Sequence, residues 1–248
     1  MSDGRKEEVL DLFKKHKFLI NPEFSESIND ADAQGFGIYN NDKSHRYYLY
    51  IDLYPKENLK QEKILTAIML NPSEKSFYGG FDQTVTYVIK IAREAKIEGK
   101  LAAFSSVEVL NLFSYKESNL KKAEKHWQRN ETNVKFLNKF LNKFNNPILI
   151  AWGNSGYKVD KNNKGNIVGE NFKTIIDAIN IDNSSDIYAY HVNGIELDTN
   201  GKLPTEYRLK PIRKKQPTHP SPFNKQQLND FFKNPELIPI TKDLNSIK

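Results

Sequence analysis

The stretch "KILTAIML", Lys63 to Leu70, is an almost unbroken apolar run that ends at the turn-forming residues "NPSE". A run of this length without polar alternation is typical of a β-strand that is buried on both faces. Parallel sheets that carry helices on both sides contain strands of this kind. The stretch therefore favours an α/β fold.

The following segments alternate between helix-type and strand-type patterns. Helical periodicity is found over residues 83–96, 126–144, 168–179 and 225–234. Apolar strand-type runs are "LAAFSSVEVLNLF" (101–113), "PILIAWG" (147–153) and "DIYAYHV" (186–192). This alternation predicts a three-layer α/β/α arrangement with a central, mainly parallel four-stranded sheet.

The N-terminal region is predicted to be an extension that packs on this core. Apolar residues recur at helical spacing over residues 5–18, and "GFGIYNN" and "HRYYLYIDLY" flank a polar turn. These patterns predict one helix followed by a β-hairpin. We therefore expect residues 1–61 to form the extension and residues 62–248 to form the α/β domain.

The composition excludes several classes of protein. The chain of 248 residues has no cysteine, which excludes a disulfide framework, a thiolate zinc site and a cysteine nucleophile. The five histidines are scattered without metal-ligand spacing, so we expect no metal and no cofactor. No apolar run has the length of a signal peptide or a membrane span. We expect a cytoplasmic protein, a monomer, with no membrane partner.

Positive charge is concentrated near the C-terminal end of the chain. The net charge is +6, and "RLKPIRKKQPTH", Arg208 to His219, contains five Lys or Arg residues. Because its prolines prevent a continuous helix, a solvated helix face explains this run poorly. The excess favours an anionic partner such as DNA. An AT-rich coding sequence is an alternative source of the lysines.

Polar residues follow the predicted strands at the edge where ligands bind in parallel α/β folds. These residues are Asn71, Asn111, Asn154 with Ser155, and, after a long loop, His219 with Ser221. Asn71 precedes a proline, so a simple turn is an alternative for it. Asn111 lies between two leucines, where a buried amide needs a partner from the backbone or a ligand.

The motifs "LNPS", "LNLF", "WGNSG" and "HPSPF", in that order, resemble the uracil-DNA glycosylase superfamily. The "NPS" form of the first motif is closest to its mismatch-specific thymine/uracil branch. The same residues are also similar to an uncharacterised bacterial domain family with an LNPS, NLF and WG pattern. The resemblance covers roughly Lys63 to Asn234 and leaves the N-terminal region outside.

The resemblance implies a catalytic set. Asn71 corresponds to the residue that positions the attacking water, and His219 to the histidine that donates a hydrogen bond to the departing base. Since an amide is not a useful base, Glu74 and Asp82 are the carboxylates in the same loop that are candidates to assist.

The resemblance also implies a base-binding set. Asn111 corresponds to the amide that reads the base, and Phe77 or Tyr78 to the ring that stacks on it. Ser73 replaces a tyrosine that excludes thymine, which implies a roomier pocket for a larger base such as a modified cytosine. Asn154 follows the third strand and is a further candidate.

A DNA-binding set completes the implied site. Arg213, Lys214 and Lys215 are expected to bind backbone phosphates, together with Ser221. Phe223 corresponds to the wedge residue that fills the gap left by the flipped base.

These residues predict a monofunctional DNA glycosylase that flips a uracil-like or modified base and leaves an abasic site, in repair or in defence against foreign DNA. One alternative is a non-catalytic module that binds nucleic acid or nucleotides through the same cleft. Another is an enzyme that acts on small nucleosides, although the basic loop argues against it.

Overall fold

The computed structural model describes residues 3–26, 33–53, 63–74, 81–119, 122, 126, 130–151, 186–191 and 236–239. Within these residues the helices are α1 (Asp3–Lys15), α2 (Gln83–Glu94) and α3 (Glu131–Lys143). The strands are β1 (Asn21–Glu26), β2 (Ala33–Tyr39), β3 (Arg46–Leu53), β4 (Ile64–Met69), β5 (Lys96–Ile97), β6 (Lys100–Leu101), β7 (Ser106–Asn111), β8 (Ile148–Ile150), β9 (Ile187–His191) and β10 (Glu236–Pro239).

The described strands form one mixed sheet of ten strands in the order β1-β2-β3-β7-β4-β8-β9-β10-β5-β6. The strands β7, β4, β8 and β9 pair in parallel. The pairs β1·β2, β2·β3, β3·β7, β9·β10 and β5·β6 are antiparallel. The predicted α/β class is confirmed. A four-stranded, mainly parallel sheet is too simple a description, because antiparallel strands continue the hydrogen-bonded ladder beyond both of its ends.

The predicted N-terminal helix and hairpin are present as α1 and the β2–β3 pair. The hairpin joins the main sheet, because Leu49 of β3 pairs with Val109 of β7. Strand β1, which the sequence patterns did not predict, adds to the outer edge of β2. The proposed boundary between residues 61 and 62 stays a prediction.

Local caps explain where two helices begin. The Asp82 side chain accepts hydrogen bonds from the backbone N–H groups of Thr84 and Val85 at the start of α2. The Asn130 side chain accepts from the N–H of Asn133 at the start of α3. Both are preferred N-cap residues because they satisfy donors that the helix leaves open. The helix predicted over residues 126–144 therefore begins later, at Glu131.

The sheet has an apolar core on each face. On one face, α1 and α3 cover side chains such as Phe36, Tyr48 and Leu110. On the other face, α2 covers side chains such as Leu49, Val107 and Val109. Successive residues of a strand point to opposite faces. The core to which a strand residue belongs therefore shows to which face of the sheet its side chain points.

Helix α1 is attached to the sheet by a buried ionic cluster around Glu108. Arg5 donates from Nε and Nη2 to the two carboxylate oxygens of Glu108, at 2.5 and 2.9 Å. Its guanidinium lies 3.4 Å from the ring centroid of Phe144. Tyr48 and Asn146 also donate to Glu108, at 2.6 and 2.8 Å. Every charge in this cluster therefore has a partner.

The cluster raises the pKa values of Arg5 and Tyr48. Burial lowers the pKa of Arg5, but hydrogen bonds to Glu108 and the charge of Glu108 outweigh it and raise the pKa above its usual value. Burial, the charge of Glu108 and the hydrogen bond to Glu108 raise the pKa of Tyr48 well above its usual value. Arg5 is therefore protonated, and Tyr48 is neutral, throughout the physiological range.

The predicted helices over residues 168–179 and 225–234 lie outside the described residues. Within the part of the chain that is described, no helix is both long and apolar enough to cross a membrane.

Candidate functional site

The carboxyl ends of the parallel strands meet at one edge of the sheet. Met69 of β4 is in register with Asn111 of β7, and Ile68 of β4 with Ile150 of β8. Beyond the strands, the backbone N–H of Leu112 donates to the carbonyl of Met69 at 2.8 Å. The structure therefore places the loop that contains Asn71 and the strand end that contains Asn111 at the same edge of the sheet.

Asn111 is the last residue of β7 and is completely buried, with 0% exposure. Neither its side-chain nitrogen nor its side-chain oxygen has a hydrogen-bond partner among the described residues. An unsatisfied buried polar group costs roughly 1–3 kcal/mol. An amide that leaves both a donor and an acceptor open at the ligand-binding edge of a sheet is suited to pair with a ligand.

A second asparagine holds the backbone of Asn111 in place. Asn133 of α3 donates from Nδ2 to the carbonyl oxygens of Asn111 and Leu112, at 3.0 and 3.1 Å. Asn133 is itself buried. Asn133 is therefore a positioning residue, and the sequence patterns did not single it out because it lies within a helical segment.

Asn71 has a structural task that the sequence did not reveal. Its Nδ2 donates to the carbonyl of Glu117 at 2.8 Å and to that of Pro72 at 3.2 Å. These bonds fasten the loop after β4 to the segment after β7. The amide nitrogen is thereby occupied, and Oδ1 is the atom of Asn71 through which a water molecule can be oriented.

The other predicted residues of this loop lie at or near the surface. The hydroxyl groups of Ser73 and Ser118 are 2.9 Å apart, and Ser118 Oγ accepts from the backbone N–H of Glu74 at 3.2 Å. Glu74 is exposed. Asp82 uses its Oδ1 as the N-cap of α2, accepting from Thr84 and Val85 at 2.9 and 3.0 Å. A cap explains Asp82 without a catalytic role.

Several predicted site residues lie outside the described residues. They are Phe77, Tyr78, Asn154, Arg213, Lys214, Lys215, His219, Ser221 and Phe223. Their convergence with Asn111 stays a prediction.

Arg46 is the residue that the sequence analysis missed. It is the first residue of β3 and is 1% exposed. Its Nε and Nη1 have no hydrogen-bond partner in the described part of the chain, and no ion pair recorded among those residues involves Arg46. An arginine at the start of a strand is usually a surface residue, so its burial gave no signal in the sequence.

The sheet topology places Arg46 at the same edge as Asn111. Strand β3 runs antiparallel to β7, so its beginning lies beside the end of β7. The backbone N–H of Arg46 donates to the carbonyl of Ser114 at 2.8 Å. Arg46 is therefore held next to the segment that directly follows Asn111.

The side chains of Arg46 and Asn111 also point to the same face of the sheet. Val107 and Val109 belong to the α2 cluster, so alternation directs Asn111 to that face. Arg46 pairs with Tyr39 beyond a register shift in β3. The ring of Tyr39 lies against the open side of Gly37, 2.8 Å from the position of a Cβ there. Because successive side chains of β2 point to opposite faces, Tyr39 lies on the face that α2 covers, and its strand partner Arg46 lies on the same face.

His45 adds a titratable group beside Arg46. Its Nδ1 lies 2.9 Å from Ser114 Oγ and 3.3 Å from Asn130 Nδ2. Burial lowers the pKa of His45; the charge of Asp42 opposes this shift, and that of His126 adds to it. The neutral ring is therefore the favoured form at neutral pH.

The described residues contain no group of three or more His, Cys, Asp or Glu side chains that could hold a metal ion. What they bring together is a cation and an amide, both buried and both with open hydrogen-bonding atoms. This combination can bind a ligand that has a polar edge and negative charge.

Residues 46–185 match the model of a family described as "Protein of unknown function (DUF1643)". The chain belongs to the DUF1643 family. The DUF1643 match contains Arg46, Asn71, Asn111 and Asn133, and it ends before His219. No curated protein and no solved structure matches the chain.

The resemblance to the uracil-DNA glycosylase superfamily, and to its mismatch-specific branch, is wrong. The family model that matches is DUF1643, and no glycosylase family matches. The motifs that suggested it are only four or five residues long and are rich in Asn, Pro, Gly and Ser, which are common in the turns of many unrelated proteins. The roles inferred for individual residues therefore depend on their own chemistry and geometry.

Proposed function

We propose that this DUF1643 protein binds a nucleobase at the carboxyl edge of the parallel strands, and that Asn111 pairs with the hydrogen-bonding edge of the base. The observation that carries the proposal is the buried amide of Asn111, whose donor and acceptor both lack partners among the described residues. A carboxamide offers one donor and one acceptor side by side, which is the pattern that base edges complement.

The proposed arrangement is a three-layer α/β/α core with the four parallel strands at its centre. In parallel α/β folds, ligands bind beyond the carboxyl ends of the strands. Asn133 supports the site by holding the backbone of Asn111 through two hydrogen bonds. The reading group is thus pre-organised, which lowers the cost of binding.

The partner that we propose is DNA, and the proposed activity is hydrolysis of the N-glycosidic bond. Water oxygen would bond to C1′ and lose a proton while the C1′–N bond breaks, and the base would leave with the electron pair and take up a proton, so the water supplies both the hydroxyl on C1′ and the hydrogen on the base. The basic segment 208–219 and His219 support this proposal from the sequence. Asn71 Oδ1 is available to orient the water, because Nδ2 is fixed by the loop.

A second candidate is a non-catalytic protein that binds nucleic acid or nucleotides through the same edge. This candidate is favoured because two of the residues predicted to be catalytic use side-chain atoms in structural hydrogen bonds. These atoms are Asn71 Nδ2 and Asp82 Oδ1. In this case the base is bound but no bond to it is broken.

The experiment combines a binding panel with a base-release assay. Duplex and single-stranded oligonucleotides with uracil, thymine mismatches or modified cytosines are incubated with the full chain. Released base is measured by chromatography, and abasic sites by alkaline cleavage. Base release supports the glycosylase, and binding without release supports the second candidate.

The decisive variant is Asn111→Leu, which keeps the branched shape of the side chain and its number of heavy atoms but removes the amide. We expect base binding to weaken by about 5–150-fold, as for the loss of a paired base contact. The folded state should be as stable as wild type or more so, because an unsatisfied buried amide is removed. Asn142→Leu is the matched control, since Asn142 is exposed on α3. Unchanged binding by Asn111→Leu would contradict the proposal.

A further inference from the structure

We propose that Arg46 holds an anionic group of the ligand, so that this edge takes a nucleoside monophosphate unit rather than a neutral nucleoside or base. This inference rests on the proposed function, because it names the class of base-containing ligand that the same site selects.

The charge of Arg46 needs a counter-charge. A guanidinium carries a fixed positive charge in proteins. Burial of an ion without a partner is strongly unfavourable. Within the described part of the chain, Arg46 has no ion pair, and its Nε and Nη1 have no acceptor. A ligand that brings negative charge would satisfy this requirement.

The neighbouring groups increase the positive charge at this position. Tyr39 is paired with Arg46 across β2 and β3, and Lys116 Nζ lies 5.1 Å from the centroid of the Tyr39 ring. The carboxylates of Glu117 and Asp42 form hydrogen bonds within their own turns, and among the described residues neither forms an ion pair with Arg46. Glu117 Oε1 accepts from the N–H of Asn119 at 2.7 Å, and Asp42 Oδ1 accepts from Ser44 Oγ at 2.6 Å.

The position of Arg46 relative to Asn111 selects the ligand class. Both side chains address the α2 face at the same edge, and the backbone of Arg46 is bonded to Ser114, three residues after Asn111. One ligand that contacts both must combine a polar heterocyclic edge with an anion. A nucleoside monophosphate unit has both, whether it is free or part of a DNA strand.

The test is isothermal titration calorimetry with the full chain. The ligands are inorganic phosphate, deoxynucleosides, the corresponding 5′-monophosphates, and a single-stranded oligonucleotide. We expect the best monophosphate to bind about tenfold more tightly than its nucleoside, as charge-assisted hydrogen bonds predict. Tighter binding of the oligonucleotide than of the monophosphate assigns the phosphate to a strand, and the reverse assigns it to a free nucleotide.

Two substitutions at Arg46 isolate its charge. Arg46→Met should abolish the preference for the monophosphate over the nucleoside, while Arg46→Lys should retain part of the preference. The unliganded Arg46→Met protein should melt at the wild-type temperature or above it. Arg5→Met is the matched control, because Arg5 is a buried arginine with a carboxylate partner; it should lower the melting temperature and leave the preference intact.

Equal affinity for nucleoside and monophosphate in the wild type would overturn the inference and leave the proposed function standing. A preference that survives in Arg46→Met, or a melting temperature that falls as far as in Arg5→Met, would also overturn it. If no nucleoside, monophosphate or oligonucleotide binds, the proposed function itself fails.

Discussion

Each face of the sheet contains a buried arginine, and the two arginines differ in their hydrogen-bond partners. On the face that α1 and α3 cover, Arg5 forms two hydrogen bonds to Glu108 and stacks on Phe144. On the α2 face, Arg46 is buried more deeply than Arg5, with 1% against 9% exposure, but two of its nitrogens have no acceptor among the described residues. The first arrangement is typical of a structural anchor, and the second is the one for which we propose an anionic ligand.

The same contrast separates the two buried asparagines. Asn133 uses its side-chain nitrogen to hold two backbone carbonyls. Asn111, whose backbone it holds, leaves its own amide open. Asn133 is therefore assigned to stability and to positioning, and Asn111 to binding, so Asn111→Leu should weaken binding without a loss of stability.

The largest effect is expected for Glu108→Gln. This change leaves the buried Arg5 without its carboxylate, and breaking a buried ion pair costs about 3–5 kcal/mol. We expect the free energy of unfolding in urea to fall by that amount. Arg46→Met should leave it unchanged or raise it, so equal losses in the two variants would show that both arginines are structural.

A smaller effect is expected for Asn133→Ala. The substitution leaves two buried carbonyl groups without their donor, at a cost of about 1–3 kcal/mol. It should also weaken base binding, because the backbone of Asn111 is released. Asn142→Ala, on the exposed side of the same helix, is the control. Weakened base binding in the control as well would argue against a specific role for Asn133.

Two substitutions of Asp82 distinguish a helix-capping role from a role as a catalytic base. Asp82→Ala should lower the free energy of unfolding by about 1 kcal/mol, as expected for a lost N-cap. Asp82→Asn keeps the cap and removes the titratable group, so it should retain both stability and any base release. Loss of base release in a fully stable Asp82→Asn protein would restore Asp82 as a catalytic candidate.

The smallest effect is expected from the titration of His45. Its pKa in the folded state is lowered from 6.5, chiefly by burial. A lowered histidine pKa contributes stability that is present above pH 6.5 and is lost as the pH falls through the folded-state value. The melting temperature should therefore fall between pH 7.5 and 5, and less so in His45→Gln. Parallel curves for the two proteins would contradict this assignment.

The sequence was informative where burial and chain periodicity coincide. The apolar runs predicted β4, β7, β8 and β9, and Asn111 was recognisable because it interrupts an apolar run. Arg46 was not recognisable, since its burial depends on the pairing of β3 with β2 and β7, which is set by contacts distant in sequence. The cap role of Asp82 and the loop bonds of Asn71 were missed because both residue types also suit a catalytic site.

The most direct test of the central claim is a crystal structure of the chain with its tightest-binding nucleoside monophosphate. We predict that the base edge lies about 2.7–3.2 Å from Nδ2 and Oδ1 of Asn111, and that the phosphate contacts the guanidinium of Arg46. A ligand bound elsewhere, with Asn111 and Arg46 still without contacts to it, would contradict the account.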